Sequence, residues 1–243
     1  MYFSSISLVG YRVSYFISDS RCHHIFGGKH AIIGACCPNC KLPLIRLLQL
    51  DMLDRKIGDN IAIPIQYIPI LYCFRCDLID EPFYYRMNDD STISIVKYKE
   101  QISSRIHTWG YIDESKLPVY YPEVMISLTE LSCEEQYLLL ASYLSDYIDI
   151  SFLPELLNIS KTYLQKFTNI INHQIGGIPF LPQGWTEFLC PICDKQMKFL
   201  ASIADEYVDN EHKIVSFTYE DIQVQSAICP DCRVIGVNHI NWC

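Results

Sequence analysis

Four Cys-x-x-Cys motifs constrain the fold of this chain more than any other feature of its sequence. They use eight of the twelve cysteines and form two sets with internal gaps of similar length, residues 41–72 and residues 194–228. Two residues between the cysteines allow one tight turn, here called a knuckle, to direct both sulfur atoms at one ion. The sequence therefore predicts two metal sites, with the ligands Cys37, Cys40, Cys73 and Cys76 in the first and Cys190, Cys193, Cys229 and Cys232 in the second.

Zinc is the metal that this ligand set favours. Four thiolates close the coordination shell and leave no position for water or substrate, which is typical of structural zinc. An iron–sulfur cluster could use the same ligands, but paired knuckles on a long hairpin are more typical of a zinc ribbon. A disulfide framework suits short secreted chains, and redox chemistry explains four matched motifs poorly. We expect two structural zinc ions.

The net charge indicates which partners the chain can bind. Its formal value is −9 at pH 7. Eight thiolates (−8) and two zinc ions (+4) would change it by −4, to about −13. A surface of this sign repels phosphate backbones, so DNA and RNA are disfavoured as partners. A basic protein is the partner class that the charge favours.

The sequence predicts neither a membrane span nor a secretory signal. No segment approaches the ~20 uninterrupted apolar residues of a transmembrane helix. Residues 1–17 are apolar, but Gly10, Arg12 and several serines interrupt them and a basic n-region is lacking, so we interpret them as strands. The cytoplasm, which keeps thiols reduced, is the expected compartment.

The two halves of the chain resemble each other beyond their cysteines. A glycine pair precedes the first knuckle of each set, at Gly27–Gly28 and Gly176–Gly177, and an apolar run follows it, at residues 44–51 and 197–205. The offset grows from 149 at the glycines to 153 and 156 at the successive knuckles, as short loop insertions would produce. Because order and chemistry both repeat, we predict an internal duplication.

The expected fold class is α+β, mainly antiparallel β, with zinc-ribbon-like knuckles and a helical insert between the copies. Each copy is predicted to contain a glycine turn, a knuckle, an apolar strand, a loop, a second strand and a second knuckle. Prolines at 64 and 69 favour an edge or bulged strand over residues 61–72. Alternating polar residues predict a half-buried strand at 222–228, and residues 234–242 predict a closing strand. The apolar runs after the first knuckles could also be helical, because short runs do not settle their period.

A helical stretch is predicted between the copies. Ser132 and Glu135 form a capping-box signature, and apolar residues recur at helical spacing up to Ile148. A second helix is predicted over about residues 154–167. We expect residues 1–118 to form the first zinc-knuckle module and residues 119–243 the helical segment with the second module, or the two to form one fused body.

The second half resembles a known group of proteins. The run Gln174–Pro179, the knuckle Cys190-Pro-Ile-Cys193 and the run Met197–Leu200 are similar to the YwqG-like superfamily, which includes programmed cell death protein 2. The resemblance covers residues 171–243 well, whereas the glycine pair of the first copy lacks the following proline. It implies a duplicated, mainly β fold with added helices. It also implies protein–protein contact, including chaperoning of a ribosomal protein in eukaryotic members and association with bacterial toxin–immunity systems.

Phe180 and Trp185 are the predicted partner-binding residues. Prolines hold the segment 176–182 extended, so that docking costs little further entropy, although a turn that only fills its own core would have the same sequence. Paired tyrosines at 84–85 and 120–121 are interface candidates as well, with core packing as the alternative.

The sequence lacks the catalytic motifs that would indicate an enzyme. It contains no His-Glu-x-x-His, Walker A, Gly-x-Ser-x-Gly or Gly-x-Gly-x-x-Gly pattern. We therefore expect a zinc-stabilised protein-binding module, an immunity protein or a dedicated chaperone, whose partner is a toxin or a nascent basic protein. The alternatives are an enzyme whose site is assembled from scattered residues and a nucleic-acid-binding zinc-ribbon protein.

Overall fold

The computed structural model describes residues 9–15, 24–76, 82–89, 91–100, 119–133, 135–136, 139, 173–179, 187–204, 206–207, 213–215 and 222–241. Over these residues the fold is mostly antiparallel β, as the sequence predicts. The elements are β1 (Gly10–Tyr15), β2 (His24–Phe26), β3 (Ile45–Asp51), α1 (Arg55–Ile61), β4 (Tyr67–Tyr72), β5 (Phe83–Met87), β6 (Ile93–Lys97), β7 (Val124–Glu130), β8 (His173–Gly176), β9 (Lys198–Ala204), β10 (Glu206–Tyr207), β11 (Lys213–Val215), β12 (Ile222–Cys229) and β13 (Val234–Asn241).

Eleven of the described strands form a single sheet in the order β4-β3-β2-β7-β1-β8-β9-β12-β13-β5-β6, and β10 pairs with β11. The first described strand, β1, lies between β7 and β8, and β5 pairs with β13. Strands from both sides of the predicted boundary at residues 118 and 119 therefore belong to one sheet. Residue 118 itself lies outside the described part of the chain.

The strand pairs β2–β3 and β8–β9 have the same register. Ile25 pairs with Gln49 in the first pair, and Gln174 pairs with Ser202 in the second. Each residue of the second pair lies 149 or 153 positions after its counterpart, which are the offsets of the glycine pairs and of the first knuckles.

The next strand pairs share an irregularity. The ladder between β3 and β4 passes over Leu47, and the ladder between β9 and β12 passes over Leu200, which lies 153 positions later. A β-bulge of this kind bends a strand and increases its local twist. The strands β2, β3 and β4 form one arm of the sheet and the strands β8, β9 and β12 form the other. Both arms therefore bend at the same place, just beyond their first knuckles.

The central strands β1 and β7 join the two arms at matching positions. Arg12 of β1 pairs with Gln174 of β8. Met125 of β7 pairs with Ile25 of β2, which lies 149 positions before Gln174. Where β1 and β7 pair with each other, Ser14 lies opposite Ser127. Ser14 and Ser127 are 113 positions apart in the sequence, the same separation as Arg12 and Met125. The two arms are therefore arranged symmetrically about the pair of serines.

Both glycine pairs adopt the left-handed backbone conformation that favours glycine. Their φ values are 60° and 78° in the first pair and 59° and 74° in the second. A Cβ atom on Gly27 would overlap the carbonyl oxygen of Pro122, and one on Gly177 would lie 2.6 Å from the Cα of Gly10. The glycines thus let the chain pass close to the segments that lead into β7 and β1.

The apolar runs after the first knuckles are the strands β3 and β9, and their apolar side chains are buried. The prediction of a half-buried strand at 222–228 was wrong in its burial. Gln223 and Gln225 of β12 are only 1% and 0% exposed, because both faces of this strand are covered. The amide of Gln225 donates a hydrogen bond to the side-chain oxygen of Gln223, which reduces the cost of burying these groups. The predicted closing strand is confirmed as β13.

The strand β4 ends the order of the sheet, as its prolines predict, and the bulge in its ladder lies on the neighbouring strand β3. Its outer edge is covered by the buried Tyr85 of β5. The hydroxyl of Tyr85 accepts a hydrogen bond from the backbone N–H of Leu71 at 3.1 Å and donates one to the carbonyl oxygen of Pro69 at 2.7 Å. The ring of Tyr72 also contacts His239 of β13, with ring centroids 6.1 Å apart. The sheet therefore curls until its first strand meets β5 and β13.

The helix α1 was not predicted, because its segment was interpreted as a loop. Asp54 caps it by accepting a hydrogen bond from the backbone N–H of Lys56. The capping box at the start of the predicted helical insert is present: Glu135 accepts from the N–H of Ser132, and the Ser132 hydroxyl accepts from the N–H of Glu135. Most of the remaining insert, and all of the helix predicted at about 154–167, lies outside the described residues.

The helices of the described residues include none with the length and apolar character needed to cross a membrane.

Candidate metal centres

The first knuckle of the first set is a tight, hydrogen-bonded turn. The N–H of Cys37 donates to the carbonyl oxygen of Leu42 at 2.8 Å, and the N–H of Lys41 donates to that of Cys37 at 2.9 Å. Lys41 adopts a φ of 62°, and Cys36 forms a β-bridge with Pro43 that closes the base of the turn. The turn thereby fixes the two cysteine side chains before the chain enters β3.

The knuckle that leads into β9 has the same geometry. The N–H of Cys190 donates to the carbonyl oxygen of Lys195 at 2.9 Å, and the N–H of Asp194 donates to that of Cys190 at 2.9 Å. Asp194 has a φ of 56°, and the bridge at the base joins Leu189 to Gln196. Every one of these positions lies 153 residues after its counterpart in the first set.

The structure brings the four cysteines of each predicted set together. Within each cluster the sulfur atoms lie within 4.8 Å of one another. The distance between sulfur atoms is 3.7 Å for Cys40 and Cys73 and also 3.7 Å for Cys193 and Cys229. Tetrahedral zinc with Zn–S bonds of about 2.3 Å requires a separation of about 3.8 Å. All described cysteines are free thiols, so each cluster can hold a metal ion.

The electrostatics of the first cluster favour a bound cation. Hydrogen bonds from Cys73 and Cys76 lower the pKa of Cys37 to about 2. The hydrogen bond to Cys37 raises the pKa of Cys73, and it raises the pKa of Cys76 to about 12. The cluster therefore stabilises one thiolate and disfavours ionisation of the neighbouring thiols, because like charges this close repel. A soft or borderline divalent ion removes that repulsion, which fits an all-sulfur donor set.

The second cluster has the same charge pattern in a more open setting. The pKa of Cys193 is lowered, and the largest cause is a hydrogen bond from the backbone N–H of Lys195. Burial is the largest cause of the raised pKa of Cys229. It is also the largest cause that raises the pKa of Cys232, to about 11. The side chain of Lys195 forms an exposed ion pair with Asp231 at 2.8 Å. This pair links the two knuckles of the cluster at the surface.

Arg46, a basic residue of β3 close to the first knuckle, neither offsets thiolate charge nor lies in solvent. Its guanidinium donates to the carbonyl oxygen of Gly27 at 2.6 Å and pairs with Glu123 at 3.0 Å. It therefore ties β3 to the first glycine turn and to the approach to β7. Lys195 lies close enough to Cys193 and Cys229 for their charge to contribute to raising its pKa, although Asp231 is the larger cause.

Two side chains of types that can bind metal, Cys36 and His24, lie outside the clusters. Cys36 is exposed and is not part of the four-sulfur group beside it. His24 is buried, and its Nδ1 accepts a hydrogen bond from the N–H of Asp51 while its Nε2 lies 3.0 Å from a carboxylate oxygen of Asp54. Its role is to connect β2, the end of β3 and the cap of α1.

The structure does not describe Phe180 or Trp185, so their predicted role in partner binding stays a prediction. Of the tyrosines named as interface candidates, Tyr84, Tyr85 and Tyr121 are buried in the core and Tyr120 is 46% exposed. The alternative of core packing is therefore correct for three of the four.

Sequence reasoning missed three exposed apolar side chains on the knuckles. Leu42, Leu189 and Ile192 are 40%, 46% and 48% exposed. Their sequence signal was their position within two residues of a predicted cysteine ligand, on the tight turn of a knuckle. Such residues project from the surface on a rigid support.

No family model, curated protein or solved structure matches this chain at a significant level.

Proposed function

We propose that each four-cysteine cluster holds one zinc ion with a structural role. The distance between sulfur atoms supports this assignment, because 3.7 Å in both clusters is close to the edge of a Zn–S tetrahedron. A closed shell of four thiolates leaves no position for a substrate, so the zinc ions would stabilise the knuckles rather than take part in a reaction. In this proposal the protein is not an enzyme.

The two arms of the sheet are copies of one duplicated unit in this proposal. Matched registers, the shared bulge, the glycine turns and the knuckle hydrogen bonds support it, since independent segments would not repeat all of these at constant offsets. Membership of the YwqG-like superfamily is part of the same proposal and rests on the residues of the second copy that carry the resemblance.

The protein acts by binding another protein, and the single observation that carries this proposal is the exposure of Leu42, Leu189 and Ile192. Apolar side chains held on a rigid turn lose little entropy on docking and so bind efficiently. The net charge of −9 favours a basic partner. An immunity protein that binds a basic toxin and a chaperone that binds a nascent basic protein both fit these properties. Free thiols throughout the described residues fit a cytoplasmic location.

Elemental analysis tests the zinc assignment. Protein purified without added metal should contain close to two zinc equivalents per chain, because two clusters offer complete ligand sets. Fewer than one equivalent, or iron in place of zinc, would contradict the proposal.

Variants of the second knuckle and of its neighbouring segment test protein binding. Ile192→Ser, Phe180→Ala and Trp185→Ala should each weaken capture of the cognate partner about tenfold or more, with an unchanged melting temperature and zinc content. Leu53→Ser is the matched control, because Leu53 is 67% exposed but lies away from the knuckles, after β3. Equal capture by all four variants would refute the assignment of the knuckle as the binding surface.

A further inference from the structure

The two four-cysteine clusters differ in how well their sulfur ligands are shielded from solvent. In the first cluster Cys40 is half-buried and the other three cysteines are buried. In the second cluster both Cys193 and Cys232 are half-buried. The shell around a metal site controls the access of solvent to its ligands. An incoming ligand can therefore reach two sulfur atoms of the second cluster but one of the first.

The apolar surroundings of the clusters differ in the same direction. The three buried cysteines of the first cluster are part of the main hydrophobic core of the described residues. Cys190 and Cys229 belong to a separate and smaller group of buried side chains, and Cys193 and Cys232 pack at its margin. A smaller apolar shell shields the second cluster less from solvent.

The knuckles that precede β3 and β9 are anchored differently. The side-chain amide of Asn39 donates a hydrogen bond to the carbonyl oxygen of Lys99 at 3.0 Å, which ties this knuckle to the chain beyond β6. The residue 153 positions later is Ile192, which is 48% exposed. The knuckle of the second cluster therefore presents an apolar side chain to solvent where its counterpart is tied down.

The knuckles that follow β4 and β12 show the same contrast. The ring of Phe74 packs edge-on against the rings of Tyr72 and Tyr121, with centroids 5.0 and 6.3 Å away. The residue 156 positions later is Pro230, which has no aromatic ring to pack. The exposed ion pair described above links the two knuckles of the second cluster instead. Such a pair in solvent contributes little stability.

We infer that the second cluster exchanges its zinc with ligands in solution, whereas the first cluster retains its ion. This inference rests on the proposed zinc assignment and adds a regulatory role to one of the two sites. Leu189 and Ile192 lie on a knuckle that Cys190 and Cys193 fix to the metal. Exchange therefore makes the proposed binding surface depend on the supply of zinc and on thiol-rich zinc acceptors.

Exchange with isotopically enriched zinc tests the inference on the intact, folded protein. Protein that holds two zinc equivalents is mixed with an excess of enriched zinc chloride and followed by native mass spectrometry. We expect one ion to exchange about tenfold or more faster than the other, because the surrounding shell controls access to the ligands.

Alkylation shows which cluster holds the fast ion. One zinc equivalent is withdrawn with EDTA, N-ethylmaleimide is added, and the labelled residues are located by mass spectrometry. The label should appear on the cysteines of the second cluster before those of the first. Cys36, which is exposed and outside both clusters, should be labelled from the start and serves as the internal control.

A substitution in the first knuckle completes the test. Asn39→Ala removes the hydrogen bond to Lys99 and should speed exchange of the slow ion about threefold or more. Leu53→Ser, at an exposed position away from the knuckles, should leave both rates unchanged. Equal exchange rates for the two ions, or earlier labelling of the first cluster, would overturn this inference and leave the zinc assignment intact. Less than one zinc equivalent in the starting protein would overturn both.

Discussion

The hydroxyl of Tyr85 forms hydrogen bonds with the outer edge of β4. It is fully buried, and it satisfies both a backbone N–H and a backbone carbonyl of that strand. Tyr85→Phe would leave both backbone groups buried without a partner, because phenylalanine fills the space but cannot reach them. We expect the free energy of unfolding, measured by urea denaturation, to fall by about 1–3 kcal/mol.

Tyr67→Phe is the control for that substitution. Tyr67 lies on the same strand, but it is 37% exposed and its hydroxyl is bonded to the exposed side chain of Gln66. Its loss should change the free energy of unfolding by less than about 0.5 kcal/mol. Equal effects of the two substitutions would mean that the edge of β4 does not depend on the Tyr85 hydroxyl.

At the scale of residues, the sequence predicts cysteine ligands better than it predicts the fate of tyrosines. A Cys-x-x-Cys motif carries its geometry locally, since two intervening residues restrict where the sulfur atoms can point. A tyrosine carries no such restriction, and Tyr84 and Tyr85 are buried because β5 pairs with β13, a strand that begins well over a hundred residues later. Nothing close to Tyr85 in the sequence indicates that its hydroxyl serves β4.

The glycine turns are the elements that allow the arms to approach the central strands. Gly177→Ala places a Cβ 2.6 Å from the Cα of Gly10 at a φ of 74°, whereas Gly176→Ala places one 3.3 Å from the carbonyl oxygen of Val9 at a φ of 59°. Both substitutions cost about 1–2 kcal/mol for the left-handed conformation. Only Gly177→Ala also forces β1 and β8 apart.

Thermal denaturation of the two glycine variants distinguishes these contributions. Gly177→Ala should lower the melting temperature clearly more than Gly176→Ala, because its Cβ lies 2.6 Å from a backbone atom, whereas the Cβ of Gly176→Ala lies 3.3 Å from one. Equal melting temperatures would show that conformation alone, and not the close approach of β1, requires glycine there.

Elements were predictable from sequence where their signals are local. The strands β3, β9 and β13 follow knuckles and consist of apolar runs, and prolines identify β4 as an edge. The helix α1 was missed because it has only seven residues, and its main signal is the cap at Asp54. The burial of Gln223 and Gln225 was missed because alternation in sequence usually indicates an exposed face, and the covering of that face depends on distant parts of the chain.

Eleven of the described strands share one sheet, so damage at either four-cysteine cluster should be felt throughout that sheet. Cys40→Ser and Cys193→Ser each remove one ligand, and metal binding by such sites contributes about 10–16 kcal/mol that is coupled to folding. We expect either variant to lower the melting temperature strongly in a single calorimetric transition. Cys36→Ser is the control, since Cys36 is exposed and outside the cluster. Two separate transitions would indicate that the arms unfold independently.

Cutting the chain tests the crossed pairing of the strands. A protease site inserted within residues 101–118 separates β1 through β6 from β7 through β13 when it is cleaved. The two fragments should remain together in size-exclusion chromatography without denaturant, because β1 lies between β7 and β8 and β2 pairs with β7. Elution as separate fragments would contradict the shared sheet.

Under the proposed duplication, the pairing of Ser14 with Ser127 places equivalent positions of two strands opposite each other, as identical strands meet across the two-fold axis of a homodimer. A shorter chain with one arm and one central strand would leave that strand without its partner, and two such chains would complete each other by exchanging strands. Because the two arms belong to one polypeptide, their association does not depend on protein concentration, as the association of two separate chains would. Dilution would dissociate the two-chain assembly, but it leaves the single-chain protein intact.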